Sequence, residues 1–271
     1  MARHPASTVR RLFRRGWWVW LAALVGASLA TSLGWSDLHA AAHPTPRAPE
    51  GAPLLVTPTT EAPTTTTSTL PPPVSVVARA HGPSVAVYDT PDSLTPSRTL
   101  ANPQPDGGPL VFLVHGEQGD RLQVDLPVRP NGSTGWIDRD QVDLSQHNFH
   151  IVVEMSAHRI TVYKGPDIFD QEPIGVGKAT TPTPGGHYYT KELFRPPNPN
   201  GPYGPFAYGL SGFSNALPNF AGGEGVIGIH GTNQPALLGH DVSHGCIRMS
   251  NAGISKLAAI LPLGVPVDIR S

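Results

Sequence analysis

The stretch that decides the fold reads SHGCIRM over residues 243–249, and it follows VIGIHGT over residues 226–232. The apolar run Val226 to Ile229 is typical of a short buried strand, and it ends at His230. Cys246 is the only cysteine among 271 residues and lies sixteen positions after that histidine. A single cysteine excludes an intramolecular disulfide framework. The pattern predicts a strand-rich domain that carries a thiol and imidazoles near strand ends.

A free thiol is only a few per cent ionised near neutral pH, so a catalytic cysteine needs help from its neighbours. His230 and His244 can accept the thiol proton, and the nearby cation of Arg248 can lower the thiol pKa. Gly245 permits a strained turn that exposes the sulfur. Backbone N–H groups at such a turn can donate to a tetrahedral oxyanion. These residue types together indicate nucleophilic acyl chemistry.

Two other interpretations of the same residues stay open on composition alone. A lone cysteine is most often a buried small hydrophobic side chain. His230, His240, His244 and Cys246 could also bind zinc, although their spacing matches neither a C-x-x-C nor an H-E-x-x-H template.

The HGT and SHGCIR motifs together resemble the signature of L,D-transpeptidase catalytic domains, the YkuD family. Two further segments are similar to the family's early strand and its T-P-x-G turn: GVGK over 175–178 and TPTPGG over 181–186. The resemblance covers about residues 148–270. It implies a mainly β, YkuD-type β-sandwich with one short helix and with the cysteine at the end of a cleft.

The resemblance also implies a reaction, a cysteine acyl transfer on peptidoglycan stem tetrapeptides that forms 3→3 cross-links in cell-wall biogenesis. It makes Cys246 the nucleophile, His230 the proton donor and acceptor, and the Gly231 backbone carbonyl the group that orients His230. It needs no metal and no other cofactor. Some members carry Asn where this sequence has Arg248, which leaves that residue's contact with the substrate open. The positions expected to line the substrate cleft are Ser243, His244, Gly245, Arg248 and Tyr208.

The rest of the module spanning residues 147–271 reads as strands and one helix. Residues 151–153 and 159–163 predict two paired strands. Ser250 or Asn251 is the expected N-cap of a helix that carries Ile254, Leu257, Ala258 and Leu261 at helical spacing. Residues 265–269 alternate as a final strand, and Pro266 suggests a sheet edge. The Pro, Gly and aromatic-rich stretch 194–220 is expected to be either a cleft rim or a plain structural loop.

Residues 74–146 predict short strands separated by turns, among them runs at 85–88, 110–114 and 122–126. The segment LPVRPNGSTGW over 126–136 resembles the end of bacterial SH3-like domains. We therefore expect a small β-barrel that acts as a spacer or as a wall-contact module.

The first 73 residues predict export from the cytoplasm. Residues 1–15 contain five arginines and no acid, and residues 16–36 include an uncharged run from Trp17 to Leu33. That run is long enough for a membrane-spanning helix with its basic end in the cytoplasm. A cleaved signal with a site near Ala40–Ala42 is the alternative, and residues 10–13 resemble a twin-arginine export signal. Residues 37–73 are rich in Pro and Thr and predict a disordered stalk.

The composition bounds the partners of the chain. Its formal net charge of −1 gives no general attraction to nucleic acid. The expected partners are peptidoglycan stem peptides and, through the N-terminal helix, the membrane; no obligate protein partner is inferred. The expected location is the cell membrane with both modules outside the cytoplasm, or the exterior after signal cleavage. An L,D-carboxypeptidase of the same chemistry and a non-catalytic wall-binding protein remain alternatives.

The arginine-rich start followed by an uncharged run generates a topology prediction. A reporter fused after Pro73 that folds only after export should be active, because the positive residues stay in the cytoplasm. Activity of a reporter that works only in the cytoplasm would contradict this topology. N-terminal sequencing of the mature protein separates the anchor from a signal, since a start near Ala41 to His43 indicates cleavage.

Overall fold

The computed structural model describes residues 74–219 and 223–271, and residues Leu70–Ser271 form one compact unit. The predicted segments 1–15, 16–36 and 37–73 lie outside the described residues. Within the described ranges, no helix is long and apolar enough to span a membrane.

The first part of the described chain is a seven-stranded antiparallel sheet with the order β3-β2-β6-β5-β4-β1-β7. Its own core consists of buried aliphatic side chains and Phe112. The predicted runs at 85–88, 110–114 and 122–126 fall on β2, β4 and β5. The similarity to SH3-like domains stays a prediction. The strands are β1 (Ser75–Ala80), β2 (Ser84–Tyr88), β3 (Arg98–Ala101), β4 (Val111–Gln118), β5 (Arg121–Asp125), β6 (Thr134–Asp138) and β7 (Val142–His147).

The second part contains the remaining strands and, within the described residues, one α-helix. The strands that hold its core are β8 (Phe149–Glu154), β9 (Arg159–Lys164), β10 (Asp167–Pro173), β11 (Val176–Gly177), β12 (Gly186–Phe194), β13 (Ala207–Phe213) and β14 (Val226–His230). They are followed by β15 (Asp241–Ser243), β16 (Ile247–Arg248), α1 (Asn251–Ala258) and β17 (Pro266–Arg270). Short 3-10 turns lie at Arg139–Gln141 and Pro235–Leu237.

Eight of these strands form one mixed sheet with the order β10-β9-β8-β17-β12-β13-β14-β16. The first half of β12 pairs with β17, and its second half pairs with β13, so β12 passes from one half of the sheet to the other. Side chains from both halves and from α1 share one apolar core. The fold is therefore mainly β and sandwich-like with one short helix, which confirms that part of the prediction.

The helix begins where the sequence predicts it. Ser250 is the N-cap, and its hydroxyl accepts a hydrogen bond from the backbone N–H of Gly253 at 2.8 Å. Ile254 and Leu257 are buried on the inner face. The helix ends at Ala258, so Leu261 packs into the core from beyond it.

The prediction that the last strand lies at a sheet edge is wrong. β17 lies between β8 and β12 and pairs with both. Pro266 is compatible with this central place because it is the first residue of the strand, where the missing N–H removes no interior bond of the ladder.

The two sheets meet at a small apolar cluster of Val77, Val111, Leu113 and Tyr189. The hydroxyl of Tyr189 donates to the carbonyl oxygen of Val111 at 2.9 Å, and its side chain is fully buried. Gly264 has φ +85 and lies against Val77, so a side chain at this position would be strained and would collide. The first sheet is thus packed against the second part of the chain.

Tyr189 should carry a large part of the stability of this contact. Tyr189→Ala should lower the free energy of unfolding by about 3–5 kcal/mol because it leaves a cavity. Tyr189→Phe should cost roughly 1–3 kcal/mol because the buried Val111 carbonyl loses its donor. Urea denaturation measures both.

Leu94→Ala is the matched control, since Leu94 is 97% exposed and its removal should change stability by no more than about 0.5 kcal/mol. A Tyr189→Ala protein as stable as this control would contradict the role assigned to the cluster.

Candidate active site

Two neighbouring parallel strands bring the predicted histidine and cysteine together. His230 is the last residue of β14, and Cys246 directly precedes β16. In the register of this pair, Ile229 lies opposite Ile247 and His230 opposite Arg248. Both isoleucines are fully buried in the core. Because strand side chains alternate, His230 and Arg248 share the opposite face.

The Cys246 side chain is partly exposed and lies beside the backbone of Gly228. Burial raises the pKa of the thiol, whereas a hydrogen bond with the Gly228 backbone and the charge of Arg248 act in the other direction. A bond that stabilises a thiolate must come from a donor, so it is the Gly228 N–H that faces the sulfur. Burial outweighs both stabilising contacts, and the resting sulfur is a neutral thiol.

The turn before Cys246 is held by a serine. The Ser243 hydroxyl donates to the carbonyl oxygen of Cys246 at 2.6 Å and accepts the N–H of Gly245 at 3.0 Å. Gly245 has φ +117, a conformation that a residue with a side chain rarely adopts. Ser243 is buried. The sequence predicts Ser243 and Gly245 as substrate contacts, and the structure places them as the residues that shape the turn under the thiol.

His230 is buried, and its Nδ1 lies 2.6 Å from the carbonyl oxygen of Gly231. A carbonyl oxygen only accepts, so Nδ1 carries the proton, and the lone pair of the neutral ring is on Nε2. Burial lowers the pKa of His230 to about 4, although the Gly231 bond acts against this. The ring is therefore neutral and basic at Nε2 near neutral pH. Gly231 occupies the place relative to His230 that the sequence predicts.

The Gly231 carbonyl is fixed by close backbone packing. The side-chain Oδ1 of Asn251, at the start of α1, accepts the N–H of Thr232 at 2.8 Å. Any side chain at Gly231 would collide with Asn251, and it would lie 3.0 Å from the Cα of Gly204. Gly204 has φ +64. This contact requires glycine at both positions, Gly204 and Gly231, because there is no space for a Cβ atom.

Tyr203 packs against His230, a contact that sequence reasoning missed. Their ring centroids are 4.7 Å apart at an interplanar angle of 55°. Burial raises the pKa of the Tyr203 hydroxyl, and the neighbouring Cys246 adds to this rise. The sequence places Tyr203 within the stretch 194–220, where no periodicity separates one aromatic residue from the next. Phe220, at the end of that stretch, lies outside the described residues.

Arg248 and His244 flank the sulfur. The Arg248 backbone bridges to Gly175, and its Nη1 donates to Gln234 Oε1 at 3.5 Å. Among the described residues, its buried Nε has no hydrogen-bond partner. His244 is exposed, and partial burial of its ring together with the charges of Lys178 and Arg248 lowers its pKa.

Tyr208 does not lie in the cleft, which corrects its prediction as a substrate contact. It is 1% exposed, and its hydroxyl donates to the carbonyl oxygens of Leu257 and Leu261 at 3.3 and 3.1 Å. The side chain points into the core from a strand whose residues are all buried. Tyr208 thus contacts the C-terminal end of α1 and the residues that follow it, and no local sequence pattern indicates this contact.

The zinc alternative concerned His230, His240, His244 and Cys246. Among residues 74–219 and 223–271, no three histidine, cysteine or carboxylate side chains lie close enough together to bind a metal ion.

The site combines a buried histidine, held by a backbone carbonyl, with a cysteine next to the adjacent strand, an arrangement that suits cysteine–histidine chemistry. Residues 148–269 match the family model of YkuD, the L,D-transpeptidase catalytic domain. These residues are thus similar to the YkuD-type L,D-transpeptidase catalytic domain.

Two curated relatives support this assignment, both named "Putative L,D-transpeptidase YkuD". The protein of Bacillus subtilis is 39% identical over 122 residues, which are 45% of this chain and 66% of the relative. The protein of Bacillus licheniformis is 36% identical over 121 residues, which are 45% of this chain and 65% of the relative. The chain thus spans slightly less than two thirds of each relative. A solved L,D-transpeptidase of Mycobacterium smegmatis aligns with 59% of this chain and 90% of its own, at 17% identity and a TM-score of 0.38.

The low pKa of His230 generates a stability prediction. Between about pH 6.5 and about pH 4, the unfolded chain binds a proton at His230 that the folded chain does not bind. The free energy of unfolding should therefore fall as the pH falls through this window, by about 3 kcal/mol from this residue alone.

Urea denaturation of the wild type and of His230→Gln at several pH values isolates this contribution, because the other titrating groups are common to both proteins. The difference between the two proteins should change across the window and stay constant above pH 7. A difference that does not vary with pH would contradict a buried neutral His230.

Proposed function

We propose that the chain is a peptidoglycan L,D-transpeptidase that forms 3→3 cross-links through an acyl-enzyme on Cys246. The observation that carries this proposal is the geometry of His230. Its Nδ1 proton is held by Gly231 at 2.6 Å, which leaves the Nε2 lone pair for proton transfer on the face shared with the cysteine.

In the first half-reaction, the Cys246 sulfur attacks the carbonyl that joins the third residue of a stem tetrapeptide to the terminal D-alanine. The thiol proton goes to Nε2 of His230 as the new S–C bond forms. Backbone N–H groups of the turn around Gly245 stabilise the oxyanion. The C–N bond then breaks, and the D-alanine amine leaves with the proton from Nε2.

In the second half-reaction, the side-chain amine of a neighbouring stem attacks the thioester carbonyl. His230 takes one proton from the amine and returns it to the sulfur as the C–S bond breaks. The imidazolium that forms in each half-reaction is stabilised by the Gly231 carbonyl, because Nδ1–H continues to donate to it. The charge of Arg248 acts on Cys246, and a guanidinium at this place would suit a substrate carboxylate.

An L,D-carboxypeptidase would use the same acyl-enzyme with water as the acceptor. A wall-binding protein without activity would need neither the thiol nor the tautomer-fixing bond of His230. We propose further that residues 16–36 hold the protein in the membrane with both modules outside, the alternative being secretion after cleavage near Ala40–Ala42. The stalk over residues 37–73 would then let the site reach stem peptides away from the bilayer.

Incubation of the protein with a disaccharide-tetrapeptide, followed by mass analysis of the products, tests the proposal. A cross-linked dimer with loss of one D-alanine is the expected product. Release of D-alanine without a dimer indicates the carboxypeptidase. The substrate recovered unchanged would contradict both enzymatic functions.

Substitutions separate the roles of the side chains. Cys246→Ser should lose nearly all activity, since the hydroxyl pKa is far above that of a thiol. His230→Ala should slow acylation by roughly 10²–10⁴-fold if it is a general base. His244→Ala should have a smaller effect, because we assign it to substrate positioning.

Intact-mass spectrometry after exposure to a carbapenem-type β-lactam follows acylation in the same variants. The wild type should gain one adduct, and Cys246→Ala should gain none. A larger loss from His244→Ala than from His230→Ala would mean that the two histidines have exchanged roles.

A further inference from the structure

The loop between β5 and β6 of the first sheet contacts the catalytic domain through two polar side chains. Arg129 and Asn131 lie in this loop and bind backbone groups of residues 213, 214 and 224. In sequence, this loop is only a Pro-Asn-Gly turn between two strands. The contacts lie more than 80 positions apart along the chain, so they exist only in the folded unit.

Arg129 connects the segment that follows β13 with the segment that precedes β14. Its Nη2 donates to the carbonyl oxygen of Ser214 at 3.1 Å and to that of Glu224 at 2.8 Å. Its guanidinium carbon lies 4.9 Å from the centroid of the Phe213 ring. Both carbonyls are thus tied to one planar group, which sets the distance between the end of β13 and the start of β14.

Asn131 binds the backbone of Phe213 through two hydrogen bonds, as a residue of a paired strand would. Its Oδ1 accepts the backbone N–H of Phe213 at 2.9 Å, and its Nδ2 donates to the Phe213 carbonyl at 2.9 Å. The amide therefore satisfies both backbone groups of one residue at the end of β13. Aspartate at this position could not donate, so the pair requires an amide.

One residue held in this way, Ser214, lines the pocket beside Cys246, and Gly225, which follows Glu224, lines it as well. Ser214, Leu217, Gly225, His244 and Cys246 all line this pocket. The backbone N–H of Ser214 donates to the carbonyl of Gly225 at 2.8 Å, and the N–H of Leu217 donates to the Ser214 hydroxyl at 3.1 Å. The position of Ser214 therefore depends on its own bond to Arg129 and on the bonds of Asn131 to the adjacent Phe213. The position of Gly225 depends on the bond of Arg129 to the adjacent Glu224.

We infer that Arg129 and Asn131 are positioning residues that fix the wall of the Cys246 pocket for the stem peptide. The first sheet is then part of the substrate site and not only a spacer. This inference rests on the proposed function for its consequence in turnover, and its geometric content is testable without any turnover.

The test uses the full chain with the substitutions Arg129→Ala, Arg129→Lys and Asn131→Asp. Arg139→Ala is the control, because Arg139 lies in the 3-10 turn between β6 and β7 and its side chain pairs with the exposed Glu117. Hydrogen exchange followed by mass spectrometry reports on peptides that cover residues 214–219. Their exchange should be at least 10-fold faster in Arg129→Ala and Asn131→Asp, and unchanged in the control.

The single cysteine of the chain permits a second, activity-independent measurement. The rate of Cys246 alkylation by a bulky maleimide is divided by the rate with iodoacetamide, so that changes in intrinsic thiol reactivity cancel. This ratio should change at least 5-fold in Arg129→Ala and by an intermediate amount in Arg129→Lys, which keeps the charge but not the planar fork. In a tetrapeptide assay, the same variants should show a KM at least 10-fold higher with a smaller change in kcat.

Unchanged exchange at residues 214–219, or an unchanged alkylation ratio, would overturn the inference. Faster exchange throughout the chain would also overturn it, because the residues would then serve stability in general. If a variant fails to fold, Arg129→Lys and Asn131→Asp decide on the same criteria. A wild type that processes no stem peptide refutes the proposed function, whereas the exchange and alkylation results still decide whether these residues hold the pocket wall.

Discussion

The hydrogen bond from Nδ1 of His230 to the carbonyl oxygen of Gly231 is the contact on which the site depends. It selects one tautomer of a buried ring and thereby determines which nitrogen can exchange a proton with a substrate or a thiol. The carbonyl can serve in this way only because the chain around Gly231 is held from two sides. The Asn251 side chain accepts the N–H of Thr232, and Gly204 packs directly on the backbone of Gly231.

Desolvation governs the electrostatics around this bond. Burial lowers the pKa of His230 and raises that of Cys246, so each group is stabilised in its neutral form. A resting thiolate–imidazolium pair is therefore disfavoured. The Gly228 N–H and Arg248 lie where they favour negative charge on the sulfur. The site thus favours the neutral thiol while it provides two contacts that would stabilise a thiolate.

Two of the contacts that join the first sheet to the second part of the chain differ in character. The apolar cluster around Tyr189 buries side chains from both sheets and provides stability. The loop with Arg129 and Asn131 binds backbone groups next to the pocket. Polar contacts of this kind specify a geometry, because each bond restricts the direction as well as the distance between its atoms.

Local sequence predicted much of the fold and the residues of the candidate site. Periodicity and turn residues predicted the pairing of β8 with β9, the strand that ends at His230, and the N-cap of α1. The two motifs, sixteen positions apart in their key residues, predicted Cys246, His230 and Gly231 as members of one site through their resemblance to a known family. The tertiary structure decided the rest. Pro266 begins a central strand, Tyr208 faces the core, Tyr203 packs on His230, and Arg129 binds Ser214. Each depends on which distant strand lies alongside, and no local pattern encodes that neighbour.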